Sequence, residues 1–390
     1  MYKKLLTILP FLAFFAQANE VLVTPNDLHT YENGMPSVNQ KLNAKIATLN
    51  AGDKLIFEEG EYYFNDEPIN FKSRVYYEGR DTLSTPTFKT NGDDIVRLTI
   101  SNKEHIRFNH ISFNRITLNF TYSDNISILN SKFVEGLDYV HSNPYPSQQI
   151  SFALTNTFTV KNNEFYRNSV MGRGITTSCS FYGEIRDNKI IGKYVTGISV
   201  SSMTENCTNS HLQGTVNIVG NDIQRSSNSA SDLEDHGIYL QTAKNVTVYA
   251  NQIAGWSNEA SGFSLKLRNS ENVRVIGNEF VNSGIIVPTY EYDLNCSLIE
   301  TRHIHDVVIR NNIFDTRHVV GNRPNEVIGI SFYRNSQKNC SANGFSDNYD
   351  YEANICFRAN SYLGVDRDYH LHNSDTSKFE FDPYRCWDEQ

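Results

Sequence analysis

Short stretches of alternating apolar and polar residues run along most of the chain, and many of them end close to an Asn. Two positions after this Asn stands Ile or Phe, and the copies are about 22 to about 34 residues apart. Such a repeat predicts many short strands joined by tight bends. The clearest copies are Asn163-Glu164-Phe165, Asn188-Lys189-Ile190, Asn221-Asp222-Ile223, Asn251-Gln252-Ile253, Asn278-Glu279-Phe280 and Asn312-Ile313-Phe314.

A second pattern, Gly followed by apolar residues at alternate positions, interleaves with the first, as in Gly197-Ile198-Ser199-Val200 and Gly237-Ile238-Tyr239-Leu240. Together the two patterns predict a parallel β-solenoid, in which each turn stacks on the one below. Asn amides at a fixed bend can then hydrogen-bond along the stack. A β-propeller is the alternative, but it needs longer blades and aromatic signatures that the sequence lacks.

The open ends of a solenoid need covers. Residues 36–53 predict an N-terminal capping helix, because Leu42, Ile46 and Leu49 share one helical face. Lys54–Phe57 is then expected to be the first strand. Residues 336–390 lose the repeat and predict an irregular C-terminal cap, so that 19–390 form a single domain.

Residues 1–18 have the features of a signal peptide: Lys3 and Lys4, an apolar run, and small residues before a cleavage site near Ala18. An uncleaved membrane anchor is the alternative. We therefore expect a secreted protein, extracellular or periplasmic, with no membrane partner. In an exported chain, six Cys suggest disulfides, for which Cys179 with Cys207 is one candidate pair.

The net charge of the chain limits the classes of function that fit it. The chain carries 35 basic and 44 acidic residues, a net charge of -9, which disfavours a nucleic-acid partner. Motifs for a serine hydrolase, a P-loop NTPase and a zinc protease are absent from the sequence. We expect a monomer.

The segment Ala51–Phe57, then Gly60-Glu61-Tyr62-Tyr63-Phe64, and the later Asn repeats resemble right-handed parallel β-helix proteins of the pectate-lyase-like superfamily. The resemblance covers nearly the whole mature chain. It implies an all-β, single-stranded right-handed parallel β-helix and a role in polysaccharide chemistry. A secreted lyase for a biofilm-matrix exopolysaccharide is the type that it suggests most strongly.

Aligning the turns on the Gly that opens each strand predicts which side chains face outward. This alignment uses Gly262 for the turn that contains Lys266. Most outward positions then hold small residues, and the middle turns hold larger functional groups. The side chains predicted to share this patch, and to bind a sugar chain there, are Tyr239, Gln241, Lys266, Arg268 and Tyr290, with Tyr333 and Arg334 one turn further on.

Lys266, next to Arg268, is the first candidate for a catalytic base in β-elimination. Ser264-Leu265-Lys266 resembles the Ser-x-Lys strand of chondroitinase-B-type and alginate-type lyases, which implies a catalytic Lys. Those families place an Arg on the next turn, whereas this chain has Pro288-Thr289-Tyr290. Arg268 or Arg334 would have to replace it.

His236 and Tyr239 form a second candidate acid–base pair. Arg173 occupies the same position before Gly as His236, two turns earlier and roughly 10 Å away, and can bind a carboxylate. The alignment puts His236 and Lys266 roughly 16 Å apart, so they are expected to serve different subsites. Each residue also has an alternative interpretation without a catalytic role. His236 can be a satisfied residue at the bend, and Lys266 can be a solvated Lys on the strand.

No cofactor is required by this chemistry. Asp232, Glu234 and Asp235 offer oxygen ligands for Ca²⁺, although a solvated acidic loop is favoured. The sequence thus predicts a polysaccharide lyase acting on an acidic, uronate-containing glycan by β-elimination. A glycoside hydrolase or a C5 epimerase on the same fold, and a non-catalytic glycan-binding or adhesion protein, remain as alternatives.

Overall fold

A computed structural model describes residues 18–29, 36–80, 85–92, 94–136, 148–201, 214–226, 236–256, 263–290, 304–317, 327–335 and 352–372. Within them the chain forms a right-handed parallel β-helix, as predicted. Each full turn contributes one strand to each of three walls, here named A, B and C. Wall A is a 12-stranded sheet, and walls B and C together make a 19-stranded sheet that bends at a corner.

Wall A consists of strands that pair in parallel from one end of the protein to the other. They are β1 (Glu20–Val23), β2 (Lys54–Phe57), β4 (Tyr76–Gly79), β7 (Glu104–Asn109), β10 (Asp124–Leu129), β13 (Thr157–Lys161), β15 (Tyr182–Arg186), β17 (Val216–Val219), β20 (Lys244–Tyr249), β23 (Glu271–Ile276), β26 (Ile304–Arg310) and β29 (Glu352–Arg358).

Wall B is made of short strands that follow the Asn bend. They are β3 (Glu61–Phe64), β5 (Thr87–Thr90), β8 (Ser112–Asn114), β11 (Lys132–Val134), β18 (Asp222–Arg225), β21 (Gln252–Ala254), β24 (Glu279–Val281), β27 (Ile313–Asp315) and β30 (Ser361–Leu363). In two turns one long strand runs through both walls B and C, namely β14 (Glu164–Ser178) and β16 (Lys189–Ser201).

Wall C completes each turn. Its separate strands are β6 (Val96–Ser101), β9 (Ile116–Thr121), β12 (Gln148–Ala153), β19 (His236–Gln241), β22 (Phe263–Arg268), β25 (Ile285–Tyr290), β28 (Ile328–Asn335) and β31 (Arg367–His372). Inward side chains of all three walls form one continuous apolar core, in which identical residues stack. Phe113, Phe133 and Phe165, for example, have neighbouring ring centroids 4.8 Å apart.

The Asn bend between walls A and B forms the ladder that the sequence predicts. The amide oxygen of Asn251 accepts from both the backbone N–H and the side-chain amide of Asn221, each at 2.9 Å. The Asn221 amide also donates to the carbonyl of Ile185. The same arrangement links Asn163, Asn188, Asn221, Asn251, Asn278, Asn312 and Asn360. Buried backbone groups at this bend are therefore satisfied by side chains.

The N-terminal cap is confirmed as helix α2 (Val38–Thr48), which begins at the N-cap Ser37 and buries Leu42 and Ile46 against the core. A one-turn helix, α1 (Pro25–Leu28), precedes it. Lys54–Phe57 is not the first strand, because Glu20–Val23 pairs with it from outside. The stack therefore begins before the capping helix.

The C-terminal end is more regular than predicted. Within 336–390, residues 352–372 form a further turn, since β29, β30 and β31 pair with β26, β27 and β28. Asn360 continues the ladder in this turn. The remaining residues of the predicted cap lie outside the described residues, as do residues 1–17 of the predicted signal peptide, whose cleavage site stays a prediction.

Candidate functional site

The candidate site lies on wall C, where β19 and β22 are neighbours. Their register pairs Tyr239 with Lys266 and Gln241 with Arg268. Ile238, Leu240, Leu265 and Leu267 point into the core, so the intervening Tyr239 and Lys266 point away from it, as predicted. Both side chains are nevertheless covered, with exposed fractions of 4% and 6%. The site is a buried cluster on the outer side of the wall.

The predicted alignment is wrong in one turn. The strand register places Ser264, not Gly262, opposite Gly237. Ser264 therefore takes the position that Gly174, Gly197, Gly237, Gly284 and Gly329 hold in other turns. The alignment on Gly262 predicts that Ser264 faces outward. Ser264 is instead fully buried, and its hydroxyl lies 2.9 Å from that of Ser283.

Glycine fits this position because the chain turns its corner there. A Cβ on Gly237 would come within 2.3 Å of the Ile253 side chain and 2.7 Å of the Ser264 carbonyl. The position thus points inward, as does Ile238 directly after it. Because two successive residues face the core, His236 before the corner and Tyr239 after it can both face the outer side.

His236 and Lys266 are consequently close together, and the predicted 16 Å separation is wrong. The rings of His236 and Tyr239 lie 5.2 Å apart between centroids. The Lys266 ammonium lies 5.3 Å from the centroid of the same Tyr239 ring. The Arg268 guanidinium donates to the Tyr239 hydroxyl at 3.4 Å. The two candidate centres are therefore one cluster around Tyr239.

His236 is held neutral in this cluster. Burial keeps the pKa of its imidazole well below the ordinary value, and the positive charge of Lys266 lowers it further, against a smaller opposing effect of the Phe263 backbone. The side chain is fully buried, and apart from a weak interaction with the Phe263 backbone neither ring nitrogen has a hydrogen-bond partner among the described residues. A neutral imidazole with an unoccupied nitrogen can accept a proton.

Three rows of outward residues run along wall C through the site. The His236 row contains Gln148, Arg173, Thr196, His236 and Phe263. The Tyr239 row contains Ser151, Thr176, Ser199, Tyr239, Lys266 and Ile286. The Gln241 row contains Ala153, Ser178, Ser201, Gln241 and Arg268. Arg173 thus lies where the sequence placed it, two turns before His236.

The other predicted residues are less close. Tyr333 pairs with Pro288 and Arg334 with Thr289, two turns beyond Arg268, while Tyr290 lies at the end of β25. The side chains of Tyr290, Tyr333 and Arg334 lie outside the described residues, as do Asp232, Glu234 and Asp235. The sequence missed Gln148, whose place in the His236 row becomes evident only from the strand register.

Of the six Cys, the structure describes Cys179 and Cys356, and neither is a free thiol. Cys207 lies outside the described residues, so its pairing with Cys179 stays a prediction. In the described part of the chain, no helix has the length and hydropathy needed to cross a membrane.

Solved structures share the fold at low identity. The surface adhesin PfbA of Streptococcus pneumoniae is 13% identical, with 90% of this chain and 89% of that chain covered and a TM-score of 0.53. The A-module of the mannuronan C-5 epimerase AlgE4 of Azotobacter vinelandii is 11% identical, covering 89% and 97%, with a TM-score of 0.47. A PL6 alginate lyase in complex with a trisaccharide is 14% identical, covering 93% and 88%, with a TM-score of 0.47. Such similarity concerns the fold alone.

No curated protein matches the sequence. The profile of the family described as "Periplasmic copper-binding protein (NosD)" matches residues 70–287. That segment runs from wall A strand β4 to β25 and contains the whole cluster around Tyr239.

Copper, which the family description names, requires converging donors such as imidazole and thiolate. Among the described residues, no three His, Cys, Asp or Glu side chains converge in this way. His305 lies with Glu271 and Asp306, but both ring nitrogens already contact carboxylate oxygens at 2.8 Å. At His236 the neighbouring Lys266 ammonium would repel a metal cation. The described residues therefore do not fit a copper site.

The family profile covers more than half of the chain, and the continuous parallel stack agrees with it. The chain belongs to the NosD family of periplasmic parallel β-helix proteins.

Proposed function

We propose that this protein is an exported polysaccharide lyase that cleaves an acidic, uronate-containing glycan, such as a biofilm-matrix exopolysaccharide, by β-elimination. The observation that carries the proposal is the strand register that joins His236, Tyr239, Lys266 and Arg268 into one cluster. A proton acceptor, a hydroxyl and two cations are the groups that this reaction needs.

The reaction removes the C5 proton of a uronate and expels the oxygen at C4. The electron pair of the C5–H bond forms the C4=C5 double bond, and the C4–O bond breaks. The leaving oxygen takes a proton. One fragment then has a new reducing end, and the other fragment has an unsaturated sugar at its non-reducing end. Because the C5 proton is weakly acidic, the adjacent carboxylate must be neutralised.

Each role has a candidate in the cluster. Arg268 and Lys266 supply positive charge for the carboxylate, and Arg268 also contacts the Tyr239 hydroxyl. The neutral His236 imidazole accepts the C5 proton, the Tyr239 hydroxyl donates its proton to the leaving oxygen, and the imidazolium then returns a proton to the Tyr239 phenolate. The sequence favoured Lys266 as the base. The position of its ammonium beside the Tyr239 ring supports a neutralising role instead.

Local charge also supports an acidic glycan. The chain has a net charge of -9, so a polyanion would be repelled by most of the surface. Lys266 and Arg268 concentrate positive charge at the cluster, and Arg173 lies further along the wall. Neither the Tyr239 row nor the Gln241 row contains Asp or Glu among the described residues. The paired carboxylates of a glycoside hydrolase therefore have no candidates there.

The test is a screen of purified protein against alginate, polygalacturonate, glycosaminoglycans and native biofilm matrix. Elimination is expected to raise ultraviolet absorbance from the unsaturated product with at least one of them. Tyr239→Phe should lower the initial rate by on the order of a hundredfold, because the proton-transferring hydroxyl is lost. Tyr249→Phe is the matched control, since Tyr249 is 49% exposed on wall A.

No absorbance rise with any of these glycans would reject a lyase. Equal rates for Tyr239→Phe and Tyr249→Phe would reject the cluster as the centre. An altered sugar ratio without chain cleavage would instead identify a C5 epimerase, which shares the first proton abstraction.

A second candidate is glycan binding without turnover, which the near-complete burial of Tyr239 and Lys266 favours. A buried cluster can stabilise the wall while the glycan contacts its surroundings. Retention of the protein on immobilised glycan, with no unsaturated or shortened product after prolonged incubation, would support this candidate over the lyase.

A further inference from the structure

The His236 row extends away from the cluster towards the N-terminal end of wall C. The register aligns Gln148 with Arg173, Arg173 with Thr196, and Thr196 with His236. Adjacent turns are about 4.8 Å apart, so Arg173 lies about 10 Å from His236 along the wall. These side chains all precede the corner at which the strand turns.

Gln148 carries a buried polar atom without a partner. Its side chain is 6% exposed, and its Oε1 has no hydrogen-bond partner among the described residues. His236, three turns away in the same row, also has a buried ring nitrogen without a partner among the described residues. An unsatisfied buried acceptor costs free energy, and a ligand that donates a hydrogen bond would remove that cost. Sugar hydroxyls are donors of this kind.

The neighbouring Tyr239 row leaves space beside Gln148 and Arg173. In the three turns directly before Tyr239 this row consists of Ser151, Thr176 and Ser199, and Asn119 precedes them. Their short side chains make a polar floor, which ends where Tyr239 and Lys266 begin. Along these three turns the wall therefore carries shorter side chains than at the cluster.

The backbone that carries Arg173 is held by a buried cation. Arg167 is fully buried and its guanidinium donates to the Arg173 carbonyl at 3.4 Å. The guanidinium fits between Gly136 and Gly172, where added Cβ atoms would approach it to 2.6 and 2.3 Å. It also lies over the ring of Tyr194, 5.9 Å from the centroid.

Tyr194 in turn donates to the Gln149 Oε1 at 2.8 Å, and Gln149 donates to the carbonyls of Glu135 and Tyr166. This buried network joins three successive turns under the corner. Arg173 and Gln148 therefore project from a backbone that is fixed before any ligand arrives, which reduces the entropy cost of binding.

We infer that Gln148, Arg173 and the floor of Ser151 and Thr176 form a second sugar-binding subsite. It binds an acidic sugar that lies two to three sugar units along the glycan from the sugar at Tyr239. The inference rests on the proposed function for the identity of the ligand. Arg173 pairs with the carboxylate of that sugar, and Gln148 Oε1 accepts from one of its hydroxyls.

The length of glycan needed to reach both subsites follows from this geometry. One pyranose extends a glycan by about the height of one turn, about 4.8 Å. Arg173 lies two turns from Tyr239 and three from Lys266. A disaccharide at the cluster cannot reach it, whereas a tetrasaccharide can. The protein is therefore built for internal segments of an acidic polymer.

The experiment is calorimetric titration of the Tyr239→Phe protein with oligosaccharides of two, four and six sugars from alginate, polygalacturonate and hyaluronan. Affinity is expected to rise between two and four sugars. Adding Arg173→Gln should weaken binding of the tetrasaccharide by on the order of tenfold, because one charge-assisted contact is lost. Binding of the disaccharide should stay within about twofold.

Arg186→Gln is the matched control, since Arg186 contacts Glu184 and Asp187 on wall A, and the affinity step should persist in it. Arg173→Lys should restore part of the step, because the charge returns. Gln148→Leu provides a second variant, and far-ultraviolet circular dichroism verifies the fold of each.

An affinity step that is the same in Arg173→Gln and Gln148→Leu as in their parent would overturn the subsite, as would equal affinity for all lengths or no binding at all. The outcomes also separate the two proposals. A step that depends on Arg173 without turnover by the unmodified protein supports the subsite and rejects the lyase. Turnover by the unmodified protein, together with an affinity step that does not depend on Arg173, supports the lyase and rejects the subsite.

Discussion

The Asn bend and the Tyr239 cluster are both buried polar regions, but they are built differently. At the bend, each Asn amide is fully used in bonds to its neighbours, and the arrangement repeats turn after turn. In the cluster, His236 has at most a weak interaction with the Phe263 backbone among the described residues, and two cations lie beside one Tyr. Repetition satisfies the polar groups of the bend, whereas the cluster does not repeat and leaves a polar group unsatisfied.

The largest effect expected from this comparison is on stability at the bend. Asn221→Ala removes side-chain bonds to Asn188, Asn251 and the Ile185 carbonyl. At about 1 kcal/mol for each of these bonds, the free energy of unfolding should fall by about 4 kcal/mol. Urea unfolding measures it.

Asn217→Ala is the control, because Asn217 lies on the outer side of β17, four residues before Asn221. It should change the free energy of unfolding by less than about 0.5 kcal/mol. Equal losses in the two variants would mean that the ladder contributes no more than any surface amide.

A smaller effect is expected in the pH dependence of stability at the cluster. The native pKa of His236 lies well below its ordinary value, so the unfolded chain binds the proton first as pH falls. Stability should therefore be lost as pH drops below about 6.5, by up to about 1.4 kcal/mol per pH unit from this residue. Urea unfolding at pH 7 and pH 5 measures the loss.

His236→Leu removes this titration, so the variant should lose less stability than the parent between the two pH values. The difference between them isolates the residue from all other titrating groups. If parent and variant lose the same amount, His236 is not held neutral by the fold.

The smallest effect is expected on the His236 pKa itself. Lys266→Met removes the positive charge that lowers this pKa, while the burial that dominates it remains. Because the native pKa rises, the loss of stability should level off at a pH higher by a fraction of a unit, while its onset near the unfolded pKa stays unchanged. Lys189→Met, an exposed Lys on β16, is the control and should leave that pH unchanged. A shift of the same size in both variants would show that Lys266 does not act on His236.

Much of the fold could be predicted because the same Asn bend recurs in most turns. The Asn copies and the alternation around them fix the bend and the inward side chains of every middle turn. The last turn was missed because Tyr362 stands where Ile or Phe follows the Asn elsewhere. The first strand was missed because Glu20–Val23 precedes the capping helix and carries no Asn bend.

The sequence named the residues of the cluster as candidates but did not predict their arrangement. The alignment assumed a Gly at the corner of every turn, whereas β22 has Ser264 there, with its hydroxyl against Ser283. Shifting one strand by two residues separated Lys266 from His236 in the predicted arrangement. Which small residue occupies a corner depends on the space left by the turns on either side, and the sequence of one turn does not contain that information.

The stacked architecture has a consequence for how this protein can change over evolutionary time. Every turn packs mainly on the one above and the one below, so a whole turn can be duplicated or deleted with little effect on the rest. Each duplication on the N-terminal side of Tyr239 would lengthen wall C by about 4.8 Å and leave the Tyr239 cluster unchanged. Relatives that differ by whole turns would then have outer walls of different length beside the same cluster.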